Sequence, residues 1–138
     1  MTTVKHLDHL NLDVADMEAS IHFYRDHFGF EPVERGTYDG APWTIIRAGD
    51  ALLCLYERPG LHPGAGLNHF GLRITDERAW EETVARTGIP IRYGGAVRWP
   101  HSTAWYVRDP SGYEIEVALW KDDEVRFDPI AEDLDDAA

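Results

Sequence analysis

The chain carries one pattern twice, sixty positions apart. His9-Leu10-Asn11-Leu12-Asp13-Val14-Ala15-Asp16 and His69-Phe70-Gly71-Leu72-Arg73-Ile74-Thr75-Asp76 both read His, apolar, any, Leu, any, Val or Ile, any, Asp. Each copy reads as a strand running into a helix, with a histidine near the strand start. A repeated unit of this size constrains the fold more than any composition does, because each copy must bury its apolar face against helix or twin.

The rest of the chain follows the same period. In copy one a strand is predicted over about 6–14. Asp16 is a good N-cap for a helix over 17–27, and Gly29 closes it. Met17, Ile21, Tyr24 and Phe28 give that helix an apolar stripe. Short strands are predicted at 30–35, 43–48 and 51–57, with turns at 36–42 and 49–50. Residues 59–66, rich in Pro and Gly, read as a linker. Copy two repeats the order: a strand at 67–74, a helix from its Asp76 cap through about 86, Gly88 as its end, then strands at 91–97, 103–108 and 113–120. The reading is α+β: two tandem βαβββ modules, about 4–58 and 67–120, whose curved mixed sheets form a cup, with helices on the outside.

Charge and composition exclude several roles. The chain has 13 basic and 25 acidic residues, a net of −12. Residues 121–138 hold Lys121 and Arg126 against eight acids, so half the excess sits in an acidic C-terminal tail expected to be solvated. No basic patch suits nucleic acid or an anionic membrane. The absence of a long apolar run and the single cysteine, Cys54, fit a cytoplasmic location.

Strand phase separates the chemistry from the core. Side chains alternate between sheet faces. Leu10, Leu12 and Val14 form one set, so His9 and Asn11 point the other way; Phe70, Leu72 and Ile74 likewise turn His69 away from the helix. In the last strand Tyr113, Ile115, Val117 and Leu119 are the apolar set, and Glu114, Glu116 and Ala118 lie opposite. Two imidazoles and a carboxylate on one wall, with open positions left over, suit a divalent ion such as Fe, Mn, Zn or Ni. An isolated histidine on a polar strand face is more often merely solvated. The matched positions and the in-phase Glu116 are what raise this set above that reading.

At these residues the chain resembles the vicinal oxygen chelate superfamily of glyoxalases, extradiol dioxygenases, fosfomycin-resistance enzymes and bleomycin-resistance proteins. The resemblance covers roughly 4–120. It rests on the His9–Val14 stretch with Phe23-Tyr24-Arg25-Asp26 and Gly29-Phe30, on Asn68-His69-Phe70-Gly71-Leu72, and on Asp109-Pro110-Ser111-Gly112-Tyr113-Glu114-Ile115-Glu116. It implies His9, His69 and Glu116 as metal ligands. It also implies a homodimer with shared sites, His9 from one subunit joining His69 and Glu116 of the other, acting on a small-molecule substrate.

The activities within that family part company at a few positions. Glyoxalase I resembles the pattern with a fourth ligand, a glutamate, where this chain has Cys54. Fosfomycin-resistance enzymes have a threonine at the place of Asn11, and the cations a phosphonate needs could come only from Arg92, Arg98 and Arg108. Extradiol dioxygenases resemble the chain through a tyrosine ten residues before the ligand glutamate, here Tyr106 before Glu116, with His101 upstream. Aromatic residues Trp43, Tyr56, Trp99, Trp105 and Tyr106 lie on predicted strands or loops around the cup, with Tyr56 and Tyr106 in phase with its face and Trp105 out of phase, and an aromatic-lined pocket would suit a ring-bearing ligand. The expectation is a divalent-metal-dependent, dioxygenase-like enzyme with Tyr106, His101 and Asn11 as catalytic candidates. The alternatives are a fosfomycin-type thiol transferase or epoxide-opening enzyme and a bleomycin-resistance-like drug or metabolite binding protein.

Overall fold

The computed structural model describes residues 6–7, 9–65 and 67–125. The opening of the first module, part of its first predicted strand, and the acidic tail beyond 125 lie outside the described residues. Within them the order is β1 (Leu10–Val14), α1 (Met17–Phe28), β2 (Glu31–Tyr38), β3 (Ala41–Ala48), β4 (Ala51–Glu57), β5 (Phe70–Ile74), α2 (Glu77–Thr87), β6 (Val97–Arg98), β7 (Ser102–Arg108) and β8 (Glu114–Trp120). This is βαβββ twice, an α+β fold. Each repeat forms its own four-stranded mixed sheet, in the orders β1-β4-β3-β2 and β5-β8-β7-β6. In each, first and last strands pair parallel and the others antiparallel.

The chain divides into two compact units, residues 1–66 with 109–113, and 67–108 with 114–138. In the first, α1 begins where sequence chemistry says it should. Asp16 is extended and its Oδ1 accepts from Ala19 N at 3.0 Å, and Met17 N donates to Glu57 Oε2 at 2.9 Å. These satisfy two of the otherwise unpaired N–H groups of the first turn. Gly29 ends the helix in the left-handed region at φ 71°, where only glycine is unpenalised. Met17, Ser20, Ile21 and Tyr24 are the buried stripe, packed with Leu12, Val14, Phe30, Ile46, Leu53 and Leu55, all buried. Phe28, predicted to belong to that stripe, is only half-buried.

The first sheet differs from the expected pattern at one turn. The turn between β2 and β3 is Asp39-Gly40, and both strands extend through most of the predicted loop at 36–42. Asp39 (φ 49°) and Gly40 (φ 76°) both have positive φ, the pattern of a tight hairpin turn that matches strand twist. Gly36 is therefore a strand residue. It pairs with Trp43, whose indole covers it so closely that any Cβ at 36 would collide with the ring.

In the second unit Asp76 caps α2 through Ala79 N at 3.2 Å, and Gly88 closes it at φ 68°. Trp80 is the one fully buried residue of α2, and its ring meets Trp105 of β7 at 6.5 Å. Truncating Trp80 to alanine would cost about 4 kcal/mol by the usual large-to-small rule. The predicted strand at 91–97 does not form. Arg92–Gly94 is instead a single 3-10 turn, followed by the two-residue β6. Tyr93 there sits at φ 58° and Gly94 and Gly95 are also positive, so three successive residues leave extended conformation.

The turn between β7 and β8 groups with the first unit, and its residues explain why. The Asp109 carboxylate lies at its centre. Oδ2 accepts from the Tyr24 hydroxyl at 2.8 Å, and Oδ1 accepts from Ser111 N and Tyr113 N at 2.9 Å each. Ser111 Oγ accepts from Ala15 N at 3.0 Å, and Ser111 O from Gly64 N at 2.8 Å. Gly112 (φ 84°) lies so close to the loop before it that a Cβ would approach Pro63 Cβ to 2.7 Å. The Asp-Pro-Ser-Gly motif is thus a packing device of the first unit.

Candidate functional site

Register makes the two repeats directly comparable. In the first sheet Asn11 pairs with Cys54, and Cys54 with Ile45. In the second, Gly71 pairs with Glu116, and Glu116 with Tyr106. Asn11 and Gly71 each lie two residues after the matched histidine, so Cys54 and Glu116 are equivalent, as are Ile45 and Tyr106. The copies keep the same backbone and differ in chemistry at every one of these positions.

The second unit holds a pair of donors. His69 Nε2 lies 3.3 Å from Glu116 Oε2, with the imidazole 40% and the carboxylate 19% exposed. His69 Nδ1 lies 2.6 Å from Asn68 Oδ1. An amide oxygen only accepts, so Nδ1 carries a proton and Nε2 is the ring nitrogen turned toward Glu116. A lone pair facing a carboxylate at this distance is favourable only with a proton or a cation between them. Two ligands bound at about 2.1 Å to one ion stand roughly 3.0–3.4 Å apart for angles between octahedral and tetrahedral. The observed separation falls in that range, so the pair fits a divalent ion. Gly71, paired in register with Glu116, brings no side chain of its own to this part of the strand, and a Cβ there would touch only Glu116 O at 3.8 Å.

Tyr106 faces the same way. Its phenol is pushed above its ordinary range, chiefly by burial, and by the charge of Glu116 and a hydrogen bond to it. A hydrogen bond with the Trp99 side chain pulls the other way. The hydroxyl therefore keeps its proton at neutral pH and directs it to Glu116. Beside it stands a cluster that sequence reasoning missed. The Tyr93 hydroxyl donates to Glu114 Oε1 at 2.5 Å, and Arg92 pairs with the same oxygen. The Arg92 guanidinium lies 4.8 Å from the centre of the Tyr93 ring. The rings of Tyr93 and Tyr106 meet edge to face at 5.3 Å. The sequence hints at it only through aromatic content, because Tyr93 falls in the predicted strand at 91–97, which does not form.

His9 is exposed just before β1 and Asn11 is exposed on it, both in the first unit. His101 precedes β7. It lies outside that strand, in the bend five residues before Tyr106. Trp105 itself is buried against Trp80, out of phase with Tyr106 as predicted. Cys54 is half-buried, and burial raises its thiol above the ordinary range. Among the described residues no group of three or more His, Cys, Asp and Glu side chains is assembled to hold a metal, and none of their helices is long and apolar enough to cross a membrane.

Comparison with known proteins places this architecture. A profile of the Glyoxalase/Bleomycin resistance protein/Dioxygenase superfamily matches residues 6–117, and the chain belongs to that superfamily. No curated protein matches it. Among solved structures it is similar to a lactoylglutathione lyase from Agrobacterium tumefaciens (TM-score 0.67, 25% identity, covering 86% of this chain and 96% of that one). It is similar to TnmS3, an antibiotic binding protein from Streptomyces sp. CB03234 (0.72, 22%, 88% and 100%). It is also similar to a mutant form of the fosfomycin resistance protein FosX from Listeria monocytogenes, complexed with Mn(II) and 1S,2S-dihydroxypropylphosphonic acid (0.71, 16%, 86% and 95%).

Proposed function

We propose that this chain is a divalent-metal-dependent enzyme acting on a small oxygen-bearing molecule, with His69 and Glu116 holding the metal. The observation that carries the reading is the His69 Nε2 to Glu116 Oε2 approach at 3.3 Å, with Asn68 fixing the ring from its far side. Such a second contact orients a ligand histidine and raises its basicity. A bound divalent ion would supply Lewis acidity and a point of attachment for substrate oxygens. The third donor in this reading is His9 from a second copy of the chain, which makes the enzyme a homodimer. Asn11, two residues on along the same strand face, then orients the substrate.

Tyr106 is the proton-bearing group. Its raised phenol stays neutral near pH 7 and donates to charge developing on a substrate oxygen. Oxygen-dependent, dioxygenase-like chemistry comes first among reaction types, supported by the Tyr106–Glu116 pairing and the aromatic side chains beside it. A fosfomycin-type reaction ranks behind it, because two of its three candidate cations are already engaged: Arg92 with Glu114, and Arg98 with Glu77 and Thr103. A binding protein for an aromatic drug or metabolite is the second reading, favoured by the exposure of Tyr93 and Trp99. Anaerobic loading with Fe(II), Mn(II), Zn(II) or Ni(II), followed by oxygen-uptake assays on catechols, separates these. Iron-dependent oxygen consumption supports the dioxygenase, metal-dependent turnover without oxygen a lyase or transferase. Ligand binding that survives a chelator, without turnover, supports the binding protein.

A further inference from the structure

Tyr93 has a combination of properties that packing does not explain. It is a large aromatic residue in the left-handed region at φ 58° and ψ 26°, a conformation that non-glycine residues adopt at a cost. It is 61% exposed, so burial of its ring does not offset that cost. Yet its position is specified from three sides: its hydroxyl by Glu114, one ring face by the Arg92 guanidinium, and the ring by the edge-to-face contact with Tyr106. Trp99, 51% exposed, sets its side chain against the Tyr106 hydroxyl. Both exposed rings therefore attach to one residue, Tyr106, which pairs in register with Glu116. Strained and over-determined residues of this kind characterise ligand clamps.

We propose that Tyr93 is the specificity-determining residue of this site. With Trp99 it forms an aromatic platform that takes the planar ring of a substrate. The inference deepens the metal-centre reading and rests on it for the orientation of the ligand, whose oxygen atoms would point toward Glu116 and His69. The ring should carry no negative charge. The hydroxyls of Tyr93 and Tyr106 already contact the carboxylates of Glu114 and Glu116, Arg92 is committed to Glu114, and the faces of tyrosine and tryptophan are themselves electron-rich. Tyr93 is a positioning and selectivity element. It has no part in proton transfer.

The test uses 2-naphthol, a flat ring with one oxygen that does not chelate, and Mn(II) alone, each titrated by calorimetry into the full chain. For Tyr93→Ala the account expects at least tenfold weaker 2-naphthol binding and an unchanged Mn(II) affinity. Tyr93→Phe keeps the ring and should bind 2-naphthol within about twofold of wild type. Trp99→Ala gives a second reading at an exposed position whose loss does not threaten folding. Wild-type 2-naphthol affinity in both alanine variants, or no 2-naphthol binding by the wild type at millimolar concentration, overturns the inference while leaving the metal reading intact. Conversely, loss of 2-naphthol binding in Tyr93→Ala in a protein that takes up no Mn(II) supports the platform and overturns the metal reading.

Discussion

Replacing Tyr24 with phenylalanine deletes one oxygen and tests how the turn before β8 is held. Tyr24 is fully buried and Asp109 is 5% exposed, and their hydrogen bond measures 2.8 Å. The variant keeps the ring, and with it the edge-to-face contact with Phe30 at 5.7 Å, so packing changes little. What it removes is the donor on Asp109 Oδ2, leaving that oxygen buried beside two N–H groups that serve Oδ1. A hydrogen bond to a charged group contributes about 2 kcal/mol, which corresponds to roughly 6 °C in Tm for a chain of this size. The pH dependence sharpens the test. Burial raises the Asp109 carboxyl above its ordinary range, while the bond from Tyr24 pulls it down. A raised carboxyl means the folded state binds its proton more tightly, so its contribution is full below the unfolded value of 3.8 and is lost as pH rises through the folded value. Removing the Tyr24 donor raises the folded value further. The deficit of Tyr24→Phe should therefore be largest near pH 7 and shrink toward pH 4 as Asp109 takes up its proton. Urea unfolding of both proteins at the two pH values measures this. A deficit under about 0.5 kcal/mol, or one that does not change with pH, would refute the role given to this pair.

Other expectations follow from single contacts. Gly112→Ala should cost about 3 kcal/mol in thermal or urea unfolding, since the new Cβ meets Pro63 at 2.7 Å on a backbone with φ 84°. Ser20→Ala should leave stability unchanged or raise it by about 1 kcal/mol, because the Ser20 hydroxyl is buried with no hydrogen-bond partner among the described residues. Asn68→Ala should weaken Mn(II) binding roughly 10- to 100-fold in calorimetry without unfolding the protein, by releasing the His69 ring. Cys54 should label slowly with a thiol reagent at pH 7 and faster as pH rises past 9, since burial holds its thiolate back.

Local chemistry made much of the fold legible. Asp16 and Asp76 cap the helices and Gly29 and Gly88 end them, because a short carboxylate at the start and a residue free to turn left at the end are needs a helix has on its own. Alternation along β8 was enough to separate Glu116 from Ile115 and Val117, since a strand's two faces are fixed by parity. Cys54, marked by the resemblance as the place of a fourth ligand, is the residue that the register makes equivalent to Glu116. What stayed hidden depended on contacts between distant residues or on backbone conformation. The 91–97 segment was apolar enough to pass for a strand, yet the Tyr93-Gly94-Gly95 turn bends it and Glu114, 21 residues on, claims the Tyr93 hydroxyl. The Asp39-Gly40 hairpin was masked by Gly36 and Pro42, both of which the sheet accommodates.

Metal affinity at the His69–Glu116 pair tests the central claim most directly. Mn(II) titration of the wild type, His69→Ala and Glu116→Gln, with circular dichroism to verify folding, should give saturable binding in the wild type. Each variant should lose at least a hundredfold in affinity. Folded variants that bind Mn(II) as the wild type does would contradict the account.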